Sequence, residues 1–378
     1  MVSRSSLWPP TLLLACDLGK SGGKFFYKLR QGQTQALWME AEVAQRPASG
    51  IGSINHGGRA QDNAWYRIGD ELTFVGKAAR AFLDYNSFKE DKFLKAPERI
   101  AAALGAIATI EKLPTKFDAI VWILLPINEL ATRQSIANRL TEICQSFRFH
   151  DDQECSVRLQ LKFRPEGYGI YVQRKQQLQQ RGMAISQRTT WIEMLGHRNG
   201  TQLAFETGTL NTSKSMSNFP GFWETFEKAA SAAGVSAPDY DVLLTALAMD
   251  KPQQYSVAKS RLVDFGDAVQ QVETAYLSAL DSHFNDHLVP SLATGKGDVV
   301  LAGGASYLMQ KGLQNYFEER GLADRLSFAW EDQDSLTQLI RAQLPETYEM
   351  GSIPMRMTDC FGLFQALLGE MSQKQGAA

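Results

Sequence analysis

The stretch DLGKSGGK, residues 17–24, ends one apolar run and opens the next. Its form is D-x-G-x-x-x-x-K, which can wrap a phosphate. Glycines let backbone N–H groups approach an anion closely, and a lysine adds positive charge. A carboxylate at a strand end can hold a hydrated Mg2+ through water. The candidates are therefore Asp17 for the metal and Gly19, Lys20, Ser21, Gly22, Gly23 and Lys24 for the phosphates. Taken alone, the same stretch is equally an ordinary hairpin with a glycine turn.

Two further stretches have chemical potential. In VVLAGGASYL (299–308) a buried strand should end at Gly303-Gly304, with Ala305 opening a helix. Two glycines there allow an adenine or ribose to lie against the backbone, and a helix N-terminus suits phosphate. In RPEGYGIY (164–171) Glu166 follows a strand and opens a helix. A carboxylate so placed can orient a water or act as a general base. It could also simply be a first-turn glutamate favoured by the helix dipole.

These turns need elements to hold them. The chain has 378 residues, 44% hydrophobic and 21% charged, with a net charge of −2. That supports two domains with sizeable cores and argues against a generally basic, nucleic-acid-binding surface. The four cysteines share no metal-ligand spacing and suit buried, reduced thiols in a cytoplasmic protein. No apolar run approaches the length of a membrane span, and no membrane contact is expected. Residues 1–10 are expected to form a loose extension.

Apolar patterning predicts strands over 11–17 and 24–30, a strand then a helix over 65–82, a helix over 96–113 and a strand over 117–127. Helices follow over 128–148 and 166–182, separated by a strand over 156–164. The pattern then restarts, with a second hairpin over 189–207, helices at 222–234 and 240–249, and a long helix over about 257–288. A strand, a Gly-Gly turn and a helix come next, and a closing amphipathic helix ends the chain. This alternation implies a mixed sheet covered by helices, an α/β class, occurring twice.

Phosphate hairpin, connecting glutamate, second hairpin and strand-Gly-Gly-helix is the order of the actin/sugar-kinase/chaperone ATPase superfamily. Within it the chain resembles bacterial plasmid-segregating actins of the ParM/StbA type. DLGKSGGK spaces its aspartate and lysine as they do, and FVGKAARAF, PEGYG and MRMTDCFGLFQAL are similar to further segments of that group. The resemblance covers roughly residues 11–372. It implies an actin-like ATPase fold of two lobes, each built on a ribonuclease-H-like mixed sheet covered by helices. The lobes would be 11–185 and 186–354, with 355–378 closing back on the first. It further implies ATP or GTP with Mg2+, closure of the lobes on the nucleotide, and Glu166 positioning the hydrolytic water with Asp17 as the other catalytic carboxylate. The partner would be the chain itself, as a filament, with a small DNA-binding adaptor linking it to plasmid DNA.

One departure stands out. The family's second phosphate turn reads roughly D-x-G-x-x-T, whereas this chain has MLGHRNGT, so Met194 replaces the aspartate. Gly196, His197, Arg198 and Asn199 remain as phosphate contacts. Glu193 should point to the opposite face of its strand, because side chains alternate. Two alternatives stay open: a small-molecule kinase of the same superfamily, or a nucleotide-binding scaffold with weak hydrolysis. His283 and His287, one helical turn apart, read as a solvated helix face before they read as a metal site. The basic segment 173–182 reads as an exposed helix, and Phe222, Trp223 and Phe226 read as core.

Overall fold

The computed structural model describes residues 12–19, 22–30, 32–51, 57–82, 94–150, 153–331, 333–344 and 353–376. The expected N-terminal extension lies outside them, as do Lys20 and Ser21. The chain divides into two compact units. The first runs to Gly169 and resumes at Asp334 and Asp359. The second comprises Ile170–Gln333 and a short segment ending at Thr358.

Unit 1 opens with the hairpin β1 (Leu12–Gly19) and β2 (Gly22–Leu29), followed by β3 (Gln35–Met39) and β4 (Val43–Pro47). β5 (Ala64–Ile68) and β6 (Glu71–Val75) form a second hairpin, turning at Gly69 with φ +58°. The strand-then-helix expectation for 65–82 is corrected here: only a 3-10 segment, Gly76–Phe82, follows the two strands. The glycine within that run favours the reversal, and apolar alternation on either side of it is strand-like.

Next come α1 (Ala96–Ile110), β7 (Lys116–Leu125), α2 (Arg133–Gln145), β8 (Phe147–Phe149), β9 (Gln153–Pro165) and the start of α3 (Tyr168–Gln180). The nine strands form one sheet in the order β3-β2-β1-β7-β9-β8-β5-β6-β4. α1 is alanine-rich and buried along almost its whole length. It lies so near β8 that a Cβ on Gly105 would meet the Phe149 ring at 2.4 Å.

Unit 2 repeats the scheme with β10 (Thr189–Leu195), β11 (Asn199–Glu206) and β12 (Thr209–Pro220). Then follow α4 (Phe222–Ala232), α5 (Tyr240–Met249), β13 (Gln253–Ser256), β14 (Arg261–Asp264), α6 (Gly266–His283) and α7 (Val289–Ala293). β15 (Gly297–Ala302), α8 (Gly304–Leu308), α9 (Gln310–Glu318) and β16 (Leu326–Phe328) complete it. Its sheet order is β12-β11-β10-β15-β16. α10 (Asp334–Gln343) belongs to unit 1, and α11 (Ile353–Gly376) passes into unit 1 at Asp359.

The expected helix from 257 is also corrected. Residues 253–264 are the small hairpin β13–β14, and helix begins only at Gly266. Asp239 secures this hairpin, since its carboxylate accepts the Ser256 hydroxyl at 2.6 Å and the Val257 N–H at 2.6 Å. Apolar residues seven apart, Tyr255 and Leu262, mimic a helical stripe in sequence but are cross-strand neighbours.

The two sheets share one plan. β3-β2-β1 and β12-β11-β10 are antiparallel, whereas β1-β7-β9 and β10-β15-β16 are parallel. In register, Asp17 pairs with Lys24 where Met194 pairs with Thr201. β1, β7 and β15 read as near-continuous apolar runs because both faces of each sheet are covered.

Candidate functional site

The unit 1 hairpin is braced from several directions. The Lys24 ammonium donates to Asp17 Oδ2 at 2.7 Å, and both residues are buried. Side chains pack closely against the glycines. A Cβ on Gly19 would meet Lys24 Nζ at 2.7 Å, and one on Gly22 would enter the Trp38 ring at 2.4 Å. From beneath, Arg99 of α1 donates to the carbonyls of Leu18 and Gly19, each at 3.1 Å.

Glu166 lies just after β9, one residue before the φ +91° turn at Gly167, and is largely buried. Its N–H bonds to Leu125 O at 2.8 Å, the end of β7. It therefore precedes α3 and does not form its first turn. Asp359 of α11 completes the turn: its carboxylate accepts Gly167 N–H at 2.6 Å and Gly169 N–H at 2.8 Å. Burial, and then the nearby charge of Asp17, pushes the Asp359 carboxyl up to about 7, with Glu166 adding in the same direction. α11 also packs on the hairpin: Cys360 Sγ lies 3.2 Å from Lys24 O, and the Phe361 and Phe26 rings are 5.2 Å apart. Unit 1 thus brings Asp17, Lys24 and the Gly19, Gly22 and Gly23 backbone into one hairpin, with Glu166 and Asp359 joined to its surroundings electrostatically.

In unit 2 the β10–β11 turn carries Gly196, His197, Arg198 and Asn199. It is as tightly seated as the first. A Cβ on Gly196 would stand 2.4 Å from Asn199 O, and one on Gly221 would stand 2.0 Å from the Arg198 carbonyl carbon. The first N–H groups of α4, from Phe222 and Trp223, bond to the carbonyls of Gly196 and His197. The His197 ring stacks on Trp223 at 4.7 Å; burial, then the Arg198 charge, lowers its pKa. Asn199 donates to Ser217 O at 3.0 Å. Arg198 is exposed.

Met194 takes the register position equivalent to Asp17, and Thr201 that of Lys24. Thr201 bonds to Ser217 instead of to a carboxylate. Glu193 is fully buried on the other face, 3.2 Å from His283 Nε2. Burial pushes Glu193 well up and His283 down to about 4, which favours the neutral pair. His283 is therefore not on a solvated helix face, as its sequence context suggested. Among the described residues no cluster of three or more His, Cys, Asp or Glu side chains could hold a metal.

The Gly303-Gly304 turn follows β15. Gly303 has φ +91°, and a Cβ there would strike Leu195 O at 2.4 Å, the end of β10. A Cβ on Gly304 would meet nothing within 4 Å. That is open space beside backbone, as a flat ligand needs. Ala305 is buried in α8, which has only five residues. The segment 173–182 differs from the exposed helix expected: Arg174 is buried and donates to Asp298 at 2.8 Å, which also accepts from Thr190.

Sequence reasoning missed Arg99, Trp38 and Asp359. Arg99 had a signal, since it is the one cation of α1, a helix that is apolar over most of its length after Glu98. Asp359 had one too, as the acidic residue of the family-like segment MRMTDCFGLFQAL, although the backbone groups it caps are distant in the chain; Trp38 had none.

The fold is shared with solved structures. Alp7A, described as an actin-like protein, superposes with TM-score 0.66 at 12% identity, covering 97% of this chain and 98% of that one. This is the actin-like fold. The Alp12 filament structure matches at TM-score 0.59 and 11% identity over 95% and 99% of the two chains. Bacillus thuringiensis ParM with AMPPNP matches at 0.59 and 13% over 96% and 100%. No protein-family model matches the sequence, and no curated protein matches it. The actin-like fold also accounts for the paired sheets, because each unit carries the same five-strand order. No helix among the described residues is long and apolar enough to cross a membrane.

Proposed function

We propose that the chain is a nucleotide-dependent, filament-forming actin-like ATPase. The observation that carries this reading is the buried Asp17–Lys24 pair across a glycine hairpin on the first strand of an actin-like sheet. Lys24 and the hairpin backbone hold phosphate. Asp17, whose Oδ2 accepts from Lys24, would hold Mg2+ through water. Mg2+ prefers a few carboxylates together with phosphate oxygens and water, and its chemistry here would be to neutralise phosphate charge.

Gly303-Gly304 supplies a bare backbone surface for the nucleoside, and Gly196, His197, Arg198 and Asn199 supply a second phosphate turn. Glu166, held by its main-chain bond to Leu125 O and followed by the turn that Asp359 caps, positions the water that attacks the terminal phosphate. Two similar folds support the reading by what they are described as: Alp12 as a filament and a ParM with AMPPNP, an ATP analogue. The cargo fitting a chain with net charge −2 is plasmid DNA reached through a DNA-binding adaptor, the chain itself staying cytoplasmic.

Met194 favours a second reading, a nucleotide-binding scaffold with weak hydrolysis, because the second turn offers Thr201 and no carboxylate. Electron microscopy and phosphate release, run on one sample with ATP, GTP and Mg2+, decide between them. The first reading expects filaments and turnover. Filaments without turnover favour the scaffold, and nucleotide-independent behaviour throughout rejects both.

A further inference from the structure

We propose that Arg99 is the positioning residue of the phosphate hairpin: from beneath, its guanidinium holds the Leu18 and Gly19 carbonyls turned inward so that the hairpin presents N–H groups to phosphate. The proposal rests on the nucleotide reading above and assigns a role to a residue outside the three turns.

The geometry is a clamp. Arg99 lies in the first turn of α1, where its N–H bonds to Lys95 O at 3.2 Å. Only 4% of it is exposed. Nη1 reaches Leu18 O and Nη2 reaches Gly19 O, both at 3.1 Å. These are consecutive carbonyls at the end of β1, and the rigid guanidinium fork suits two acceptors at once. On the facing strand, a Cβ on Gly23 would come within 3.2 Å of Nη2. The guanidinium therefore lies near both arms of the hairpin, where a side chain at position 23 would crowd it as well as the Phe25 ring.

A peptide unit is planar and trans, so a carbonyl drawn one way sends the N–H of the same unit the other way. Fixing two successive carbonyls fixes the orientation of the backbone entering the turn. Lys24 does not duplicate this work, because its ammonium bonds to the Asp17 carboxylate at 2.7 Å and approaches from the opposite strand. Burial lowers the Arg99 pKa only to about 10, with Asp17 and Glu42 opposing the shift, so it stays charged at neutral pH. A cation bonded to carbonyls beneath the hairpin also adds positive potential where phosphate would bind. Packing alone would be served by an apolar side chain, as at Ile100, Leu104 and Ile107 of this helix. A buried guanidinium is instead suited to directional bonds.

The test compares wild type, Arg99→Lys and Arg99→Met. Affinities for ATP and for adenosine are measured by titration calorimetry and ligand-observed NMR, and folding by thermal melting. Arg99→Met should weaken ATP about 10-fold or more, the loss of a charged hydrogen bond. Adenosine affinity should stay within about 2-fold, because it has no phosphate to orient. Arg99→Lys keeps the charge but reaches one carbonyl, and should fall between. Unchanged ATP affinity in folded Arg99→Met, or equal weakening of ATP and adenosine, overturns the proposal. So does failure of both variants to fold, which would make Arg99 a folding residue. A wild-type chain that binds no ATP instead removes the nucleotide reading itself, and the role of Arg99 with it.

Discussion

The carbonyl oxygen of Asp359 lies against Gly169 so closely that a Cβ on the glycine would stand 1.9 Å from it. The contact is reciprocal one turn later, where a Cβ on Gly362 would meet Gly169 O at 2.1 Å. α3 and α11 thus touch backbone to backbone, and the Asp359 carboxylate caps the N-terminus of α3 at that crossing. Chain partition between the units falls next to both residues, after Gly169 and before Asp359. Alanine at position 169 has no room and a rigid neighbour. Gly169→Ala should cost about 3 kcal/mol or more, at the upper end of overpacking, read as a lowered urea midpoint at unchanged slope.

The Asp359 carboxyl gives stability a pH signature. Its folded value, raised from 3.8 to about 7, means that between those values the folded chain holds a proton the unfolded chain has lost. Stability from this group is therefore complete below the unfolded value and declines as pH rises toward 7, by at most about 1.4 kcal/mol per pH unit. Asp359→Asn should flatten that part of the pH–stability curve measured by chemical denaturation. An unchanged slope would place the titration on another group.

Glu193 and His283 form a buried polar pair in unit 2, and the neutral form is favoured. A neutral carboxylic acid donates to the imidazole, and an amide can do the same. Glu193→Gln should stay within about 1 kcal/mol of wild type, while Glu193→Ala leaves His283 without that partner and costs about 2–3 kcal/mol. Equal losses in both variants would mean that the pair is ionised. Differential scanning calorimetry separates the two outcomes.

Gly304 and Gly303 should respond oppositely. Valine at 304 projects into open space, so folding should survive and ATP affinity should fall. Alanine at 303 combines φ +91° with a collision on Leu195 O. That should cost about 1–3 kcal/mol of stability. Circular dichroism melts with nucleotide titration report both, and a folded Gly304→Val that binds ATP normally would exclude this turn from the site.

Glu166→Ala should leave nucleotide affinity near wild type and lower phosphate release about 100-fold or more, the usual effect of removing a positioned base. Filaments of the variant should assemble with Mg-ATP and disassemble slowly. Phosphate release and light scattering in one cuvette measure both, and normal release would remove Glu166 from the chemistry.

Local pattern in the sequence carried the two hairpins, the covered parallel strands and the strand-to-glycine turn, because each is dictated by neighbours in the chain. Asp17 and Lys24 are seven residues apart and Met194 and Thr201 likewise, so strand register alone pairs them once the turn is recognised. The failures have equally local causes. Residues 253–264 carry a helix-like apolar spacing on an exposed hairpin, and 65–82 concealed a reversal at Gly69. Only tertiary packing decided the rest. Arg99 reaches its carbonyls across 80 and 81 positions, and Asp359 caps Gly167 across 192. Glu193 meets His283 across 90. Such pairs leave no periodic trace, since a buried charge is set by where it finds a partner in space, and that partner exists only after the sheets and helices have packed.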